Sequence, residues 1–218
     1  MDFKPAFKFL KDLKSNNNKE WFDRNKDRYL AVKKDFEGFV EELIHGISSF
    51  DREVGGVDPK KCIFRIYRDV RFSKDKIPYK VHMGAYIAAG GAKSPKAGYY
   101  FHLEPGKNLV AGGLWMPEPP VLNSIRQAID YDAKPLLKII NSKSFKNAFG
   151  EIEGEKLSRP PKGFDAEHPQ IELIKHKSFN VMHPLSDVQI NASGFKKELL
   201  KIYKEMKPLN DYLNSNME

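Results

Sequence analysis

The stretch of sequence that decides the fold is YYFHLEPGKNLVAGGLW, residues 99–115. Pro105–Gly106 near its centre fits the middle of a type II turn, because proline fixes φ and glycine accepts a positive φ. The stretch therefore predicts a β-hairpin. Side chains two residues apart on a strand share a face, so Tyr100, His102 and Glu104 are expected to lie side by side.

The segments around this hairpin predict an α+β protein, with a central antiparallel sheet of about five strands flanked by N- and C-terminal helices. Outside the hairpin, the alternation of β-branched and aromatic residues predicts strands at 62–70, 83–89 and 178–182. Helical spacing of apolar residues predicts helices at 5–14, 18–49, 119–130, 133–141, 142–149 and 194–206, and a short helix through Ile171 and Ile174. Ser186 and Ser193 are expected to cap the last two helices. We find no internal repeat and no long linker, and we expect a single domain over residues 1–218.

The predicted helix 18–49 carries the strongest helical pattern. Asn17 and Glu20 resemble a capping box at its start. Its apolar stripe predicts a buried face, and Lys33, Lys34 and Glu37 are expected on the exposed face. The residues expected to be buried are Tyr29, Val32, Phe36, Phe39 and Leu43. The last helix is expected to stop before Pro208, since proline removes a helical hydrogen bond.

The composition excludes several classes of protein. Hydrophobic residues make up 40% of the 218 and charged residues 30%, and no apolar run is long enough to predict a membrane-spanning helix. Cys62 is the single cysteine, which excludes an internal disulfide and multi-cysteine metal centres and favours a reducing cytoplasm. The phosphate-binding P-loop, the dinucleotide-binding glycine motif and the serine nucleophile elbow are all missing from the sequence. No cofactor is therefore predicted.

Positive charge is concentrated in one segment. The chain has a formal net charge of +8, and residues 60–82 contain eight basic and two acidic side chains, a net +6. Such a patch favours an anionic partner, which can be a phosphate, a carboxylate or a nucleic-acid backbone.

The predicted site lies in this segment and on the neighbouring strand. Arginine supplies planar forks for phosphate or carboxylate, and lysine supplies point charges. An aspartate can orient an arginine, and histidine titrates near neutral pH. The candidate ligand-binding residues are Arg65, Arg68, Asp69, Arg71, Lys76, Tyr79, Lys80, His82, Tyr100 and His102. In the alternative interpretation, Asp69 and Asp75 form ion pairs with these basic side chains and hold the chain in place.

The face shared by Tyr100, His102 and Glu104 allows a second kind of chemistry. A histidine and a glutamate two residues apart can bind a metal ion or fix the tautomer of the imidazole. The sequence offers no third ligand at a recognised spacing, so no metal site is predicted.

Three interpretations of the function stay open. The first is a binding protein or enzyme that acts on a small anionic, possibly phosphorylated, ligand, and the interrupted basic cluster favours it. The second is a nucleic-acid-associated protein, because the aromatic residues Phe64, Tyr67, Phe72 and Tyr79 lie among the basic ones. The third is an interaction module without chemistry. The sequence predicts neither the oligomeric state nor a role at a membrane.

Four motifs resemble one protein family. They are FLKDLKSNNNKEWF at 9–22, RDVRFSKDKIPYK at 68–80, RPPKGFDAEHP at 159–169 and KPLNDYL at 207–213. Together they resemble a bacterial and fungal family of conserved proteins, the domain of unknown function 2461. The resemblance implies one full-length domain and brings no assigned activity. Val81 stands where the family pattern suggests threonine, so a hydroxyl is missing at that position.

Overall fold

The structure is a computed structural model that describes residues 1–71 and 73–217. The chain divides into two compact units, each assembled from separated segments. The first unit contains Met1–Lys93, Tyr100–Val110 and Pro184–Leu200, and the second contains Ser94–Tyr99, Ala111–His183 and Lys201–Glu218. The single domain over residues 1–218 stays a prediction.

One antiparallel sheet of four strands, in the order β1-β2-β3-β4, lies at the centre of the chain. Its strands are β1 Met83–Ile87, β2 Gly98–Leu103, β3 Asn108–Leu114 and β4 Phe179–Leu185. N- and C-terminal helices flank this sheet, which confirms the predicted α+β fold. The predicted hairpin is β2 and β3, and Gly106 has the positive φ, 77°, that the turn requires.

Ten α-helices are found in residues 1–71 and 73–217. They are α1 Lys4–Ser15, α2 Lys19–Arg24, α3 Lys26–Ser48, α4 Pro59–Cys62, α5 Pro119–Tyr131, α6 Lys134–Ile140, α7 Lys143–Phe149, α8 Ile171–Ile174, α9 Asp187–Ile190 and α10 Phe195–Ser215. A short 3₁₀ helix spans Arg52–Val54. Among the described residues, none of these helices has both the length and the apolar character that crossing a bilayer requires.

The predicted strand 62–70 is wrong, and its absence explains why the sheet has four strands instead of five. The segment begins with the end of α4 and then pairs only at two isolated bridges, Ile63 with Ala85 and Tyr67 with Tyr79. Between these bridges one side advances by four residues (63 to 67) and the other by six (79 to 85). The two extra residues break the register, so no continuous ladder forms.

The predicted helix 18–49 is two helices, α2 and α3, which are separated at Asn25. The Asn25 side chain donates a hydrogen bond to the carbonyl oxygen of Trp21, at 2.9 Å. Such local side-chain bonds compete with the helical backbone. The cap of α2 is Asn18, whose side chain accepts from the Trp21 amide, so the capping box predicted at Asn17 is also wrong.

The last helix, α10, continues through Pro208 to Ser215, so the predicted end at residue 206 is wrong. The residues after the proline explain the continuation. Leu209 and Leu213 are fully buried, and the Asn210 side chain donates to the carbonyl oxygen of Gly98 at 3.1 Å. Packing of this last part therefore outweighs the hydrogen bond that proline removes.

Aromatic side chains form the core of the first unit. Phe36 and Phe39 of α3 contact Phe101 of β2, with ring centroids 6.1 and 5.2 Å apart. Val32 and Leu43 are buried as predicted, but Tyr29 is only half-buried. Lys34 is exposed as predicted, whereas Lys33 and Glu37 are half-buried and form an ion pair at 3.3 Å. The pairing lets both charges sit close to the apolar face.

Candidate functional site

Strand β2 has two different faces. Tyr99, Phe101 and Leu103 are fully buried, whereas Tyr100, His102 and Glu104 are half-buried on the opposite face. Strand β1 lies beside β2, and Gly84 of β1 makes room for Tyr100. A Cβ atom at Gly84 would lie 2.7 Å from the Tyr100 hydroxyl oxygen, which is too close for two non-bonded atoms.

A chain of hydrogen bonds runs along this face. The Tyr100 hydroxyl lies 2.9 Å from His102 Nδ1, and His102 Nε2 lies 3.2 Å from Glu104 Oε2. Burial, assisted by the negative charge of Glu104, raises the pKa of Tyr100 to about 12. Tyr100 therefore stays protonated and donates a hydrogen bond to His102 Nδ1. His102 then carries its own proton on Nε2 and donates a hydrogen bond to Glu104.

His82 lies against this chain. Its ring centroid is 4.4 Å from that of His102, and a ring nitrogen of each histidine and a Glu104 oxygen all lie within 4.8 Å of one another. Burial and the neighbouring His102 lower the pKa of His82 to about 4. Burial also lowers the pKa of His102, although Glu104 opposes this effect. Both imidazoles are therefore neutral at neutral pH.

The irregular backbone beside β1 accounts for the position of His82. The Phe64 amide donates to the Gly84 carbonyl, and the Lys80 amide donates to the Ile66 carbonyl. Residues 81–83 between these two bonds face a single residue, Arg65, on the other side. Such bulges redirect side chains and are frequent beside functional sites.

Lys80 borders this face, and Arg65 lies near Lys80. The Lys80 ammonium lies over the Phe64 ring, 5.6 Å from its centroid, and burial together with the nearby Arg65 lowers the pKa of Lys80. Within residues 1–71 and 73–217, neither Lys80 nor Arg65 forms an ion pair with a carboxylate at 4.0 Å or less. We call His82, Tyr100, His102, Glu104, Lys80 and Arg65 the sheet-face cluster.

The remaining basic residues of the predicted site are engaged in their own loop. Arg68 contacts Asp75 at 2.8 Å, and Arg71 holds Asp69 through two bonds of 3.0 and 2.7 Å. The Lys76 ammonium donates to the carbonyl oxygen of Val70 at 2.9 Å. This geometry favours the ion-pair interpretation for residues 68–77, and a ligand role for this loop stays a prediction.

Tyr79 lies apart from the sheet-face cluster, in a structural position. It is buried, and its ring stacks on Phe22 with the centroids 4.0 Å apart. Asn17 binds the Tyr79 backbone twice, since it donates to the carbonyl at 2.9 Å and accepts from the amide at 3.1 Å. Phe72, one of the aromatic residues in the nucleic-acid interpretation, lies outside the described residues.

Replacing Arg68 or Arg71 by lysine tests the role of this loop. Lysine keeps the charge and loses the planar fork. We expect both variants to unfold at nearly the wild-type temperature, because exposed ion pairs contribute little to stability. Thermal unfolding followed by circular dichroism measures this, with and without added phosphate. If phosphate raises the unfolding temperature of the wild type but not of either variant, the ligand binds in this loop.

The first unit also contains an open cavity of about 540 Å³. Its lining includes Phe3, Phe39, Glu42 and Lys196, and Lys196 forms an ion pair with Glu42 at 2.6 Å. None of the ten candidate site residues lines it. This cavity therefore contributes nothing to the proposed chemistry.

The comparison of the sequence with known families gives one result. Residues 5–212 match DUF2461, a family described as conserved hypothetical proteins. The chain belongs to this family. No curated protein and no solved structure shows a significant match to it. The DUF2461 match confirms the predicted resemblance and assigns no activity, so the function has to be argued from the site itself.

The sequence indicated most members of the sheet-face cluster but not their arrangement. Gly84 was missed, and Phe64 was named only in the nucleic-acid interpretation. The available signal is the alternation Lys80-x-His82-x-Gly84, which puts these residues on one face if β1 is extended backwards. Tyr100, His102 and Glu104, on or next to the neighbouring strand β2, show the same alternation.

Proposed function

We propose that this DUF2461 protein binds a small anionic ligand, possibly phosphorylated, on the sheet-face cluster. One observation carries the proposal. Among the described residues, Lys80 and its neighbour Arg65 form no ion pair with a carboxylate, and Lys80 borders a half-buried row of hydrogen-bonding side chains. An anion bound there supplies a counter-charge to Lys80, and the Lys80 ammonium and the Arg65 guanidinium offer donors to its oxygens.

The reaction class that this cluster supports is proton transfer. Glu104 orients His102 through Nε2, and His102 in turn contacts the Tyr100 hydroxyl. A hydroxyl, an imidazole and a carboxylate in series form the arrangement that activates a nucleophile or moves a proton. We propose acid–base chemistry on the bound anion as the enzymatic form of this function.

Nucleic-acid association is the second candidate, and Phe64 and Tyr67 support it. Both side chains are exposed, 40% and 49%, and Arg65 stands between them in the sequence. The pairing of Arg68 with Asp75 and of Arg71 with Asp69 reduces the charge available to a phosphate backbone. A steep loss of affinity with salt would identify a nucleic acid as the partner.

Thermal unfolding with added inorganic phosphate, adenosine monophosphate or acetate tests the proposal. We expect at least one of these anions to raise the unfolding temperature of the wild type. Lys80→Met should weaken this binding by about tenfold or more, because a charge-assisted hydrogen bond contributes about 1.5–3 kcal/mol. Methionine is an unbranched side chain nearly as long as lysine, and it lacks the ammonium that lies over Phe64.

Lys74→Met is the matched control, since it removes the same charge from the same basic segment at an exposed position. We expect it to bind the anion as the wild type does. Equal weakening in both variants would mean a general charge effect and would contradict a shaped site. Failure of all three anions to stabilise the wild type would also contradict it.

We also propose a cytoplasmic location. The basis is the single, buried Cys62, which is typical of proteins that never require disulfides.

A further inference from the structure

We propose that His82, His102 and Glu104 bind a divalent transition-metal ion, with Zn²⁺ as the most suitable. This inference goes beyond the proposed function, because it requires no anion. It rests on three ligands that converge from two neighbouring strands and the residues next to them. Two imidazoles and one carboxylate form a set that catalytic zinc sites use.

The distances between the ligand atoms fit one ion. His102 Nε2 and Glu104 Oε2 are already 3.2 Å apart. One nitrogen of each histidine and one Glu104 oxygen all lie within 4.8 Å of one another. Ligands bound about 2.1 Å from a tetrahedral ion are separated by about 3.4 Å, so a small adjustment of the His82 side chain completes the set.

The surroundings of His102 provide a second, independent argument. A metal-bound histidine usually donates its other ring N–H to a nearby acceptor, which fixes the orientation of the ring. When Nε2 binds the ion, Nδ1 carries the proton, and the Tyr100 oxygen 2.9 Å away accepts it. Gly84 leaves the space in which the Tyr100 hydroxyl can take this position.

The backbone around His82 is also suited to the site. Residues 81–83 form the irregular segment beside β1, whereas His102 and Glu104 lie on or directly after the regular strand β2. The register of β2 thus fixes the spacing of two ligands, and the third lies in the irregular segment. Three protein ligands leave at least one coordination position for water or for an anionic oxygen. Lys80 borders the same face.

Metal binding to chelator-treated, dialysed protein tests the inference. We expect calorimetry with Zn²⁺ in phosphate-free buffer to show one ion bound per chain. We expect Co²⁺ to give the intense visible absorption of a tetrahedral site. His82→Ala and Glu104→Gln should each weaken Zn²⁺ binding by more than about 100-fold. Tyr100→Phe should weaken it by about 10–100-fold, as an outer partner does.

His45→Ala is the matched control, because it removes an imidazole from the exposed side of α3. It should bind Zn²⁺ as the wild type does. Circular dichroism establishes which variants are folded, and Glu104→Gln keeps the size of the side chain. The inference is wrong if the wild type does not bind Zn²⁺ stoichiometrically. It is also wrong if His82→Ala and Glu104→Gln are both folded and bind Zn²⁺ as tightly as the wild type. The assay contains no phosphate, so its outcome is separate from that of the anion titration.

Discussion

Replacement of Phe36 by alanine should lower the free energy of unfolding by about 3–5 kcal/mol. Phe36 is fully buried on α3, and its ring stacks on Phe101 with the centroids 6.1 Å apart. Alanine loses the transfer free energy of the ring and leaves a cavity beside β2. Urea unfolding followed by circular dichroism measures the effect.

Leu30→Ala is the control for Phe36, since it lies on the same helix but is 48% exposed. We expect its effect to stay below about 1 kcal/mol, as for most surface positions. A cost below about 1 kcal/mol for Phe36→Ala would show that the apolar stripe of α3 is not the face that packs on the sheet.

Acidification should destabilise the protein through His176, which lies in the second unit. Its side chain is 3% exposed, and burial, with a smaller effect of Lys156, lowers its pKa to about 4. Glu151 and Glu172 oppose this shift only in part. The Arg126 guanidinium donates to the carbonyl oxygen of His176 at 2.9 Å, which adds a fixed cation to the segment.

The sign of the effect follows from the two pKa values of His176. The unfolded chain has a histidine pKa of about 6.5, so between pH 6.5 and 4 it binds a proton that the folded chain does not. Stability is therefore fully present above pH 6.5 and falls as the pH falls towards 4. A shift from about 6.5 to about 4 corresponds to about 3 kcal/mol.

Urea unfolding between about pH 7 and pH 4 measures this slope. Over that range, the free energy of unfolding of His176→Gln should fall by about 3 kcal/mol less than that of the wild type. His45→Gln removes an exposed histidine and should keep the wild-type slope. Equal slopes in all three proteins would mean that His176 does not stay neutral in the folded state.

The fold could be predicted where the sequence pattern is local. The hairpin of β2 and β3 followed from Pro105–Gly106, and the apolar spacing of α3 followed from its side chains. The errors have two origins. The helix break at Asn25 is local, since its side chain bonds to the Trp21 carbonyl oxygen one turn earlier. By contrast, α10 passes Pro208 because the residues after it are buried, and this packing has no signal in local propensity.

The candidate site could also be predicted only in part. That Tyr100, His102 and Glu104 share a face follows from the period of a strand. The position of His82 beside them depends on the register between β1 and β2. The long irregular connection between these two strands does not fix that register as a tight turn does. The pairing of Arg68 and Arg71 with nearby aspartates was one of two open interpretations, and only coordinates separate the two.

We propose that a ligand binds on the sheet-face cluster and not on the loop at residues 68–77. Long-range ¹H–¹⁵N NMR spectra of the histidine side chains, recorded as inorganic phosphate is added, test it most directly. We expect the signals of His82 and His102 to shift together until phosphate saturates the site, while the signal of His45 stays in place. Signals of His82 and His102 that do not respond, or that respond no more than His45, would contradict it.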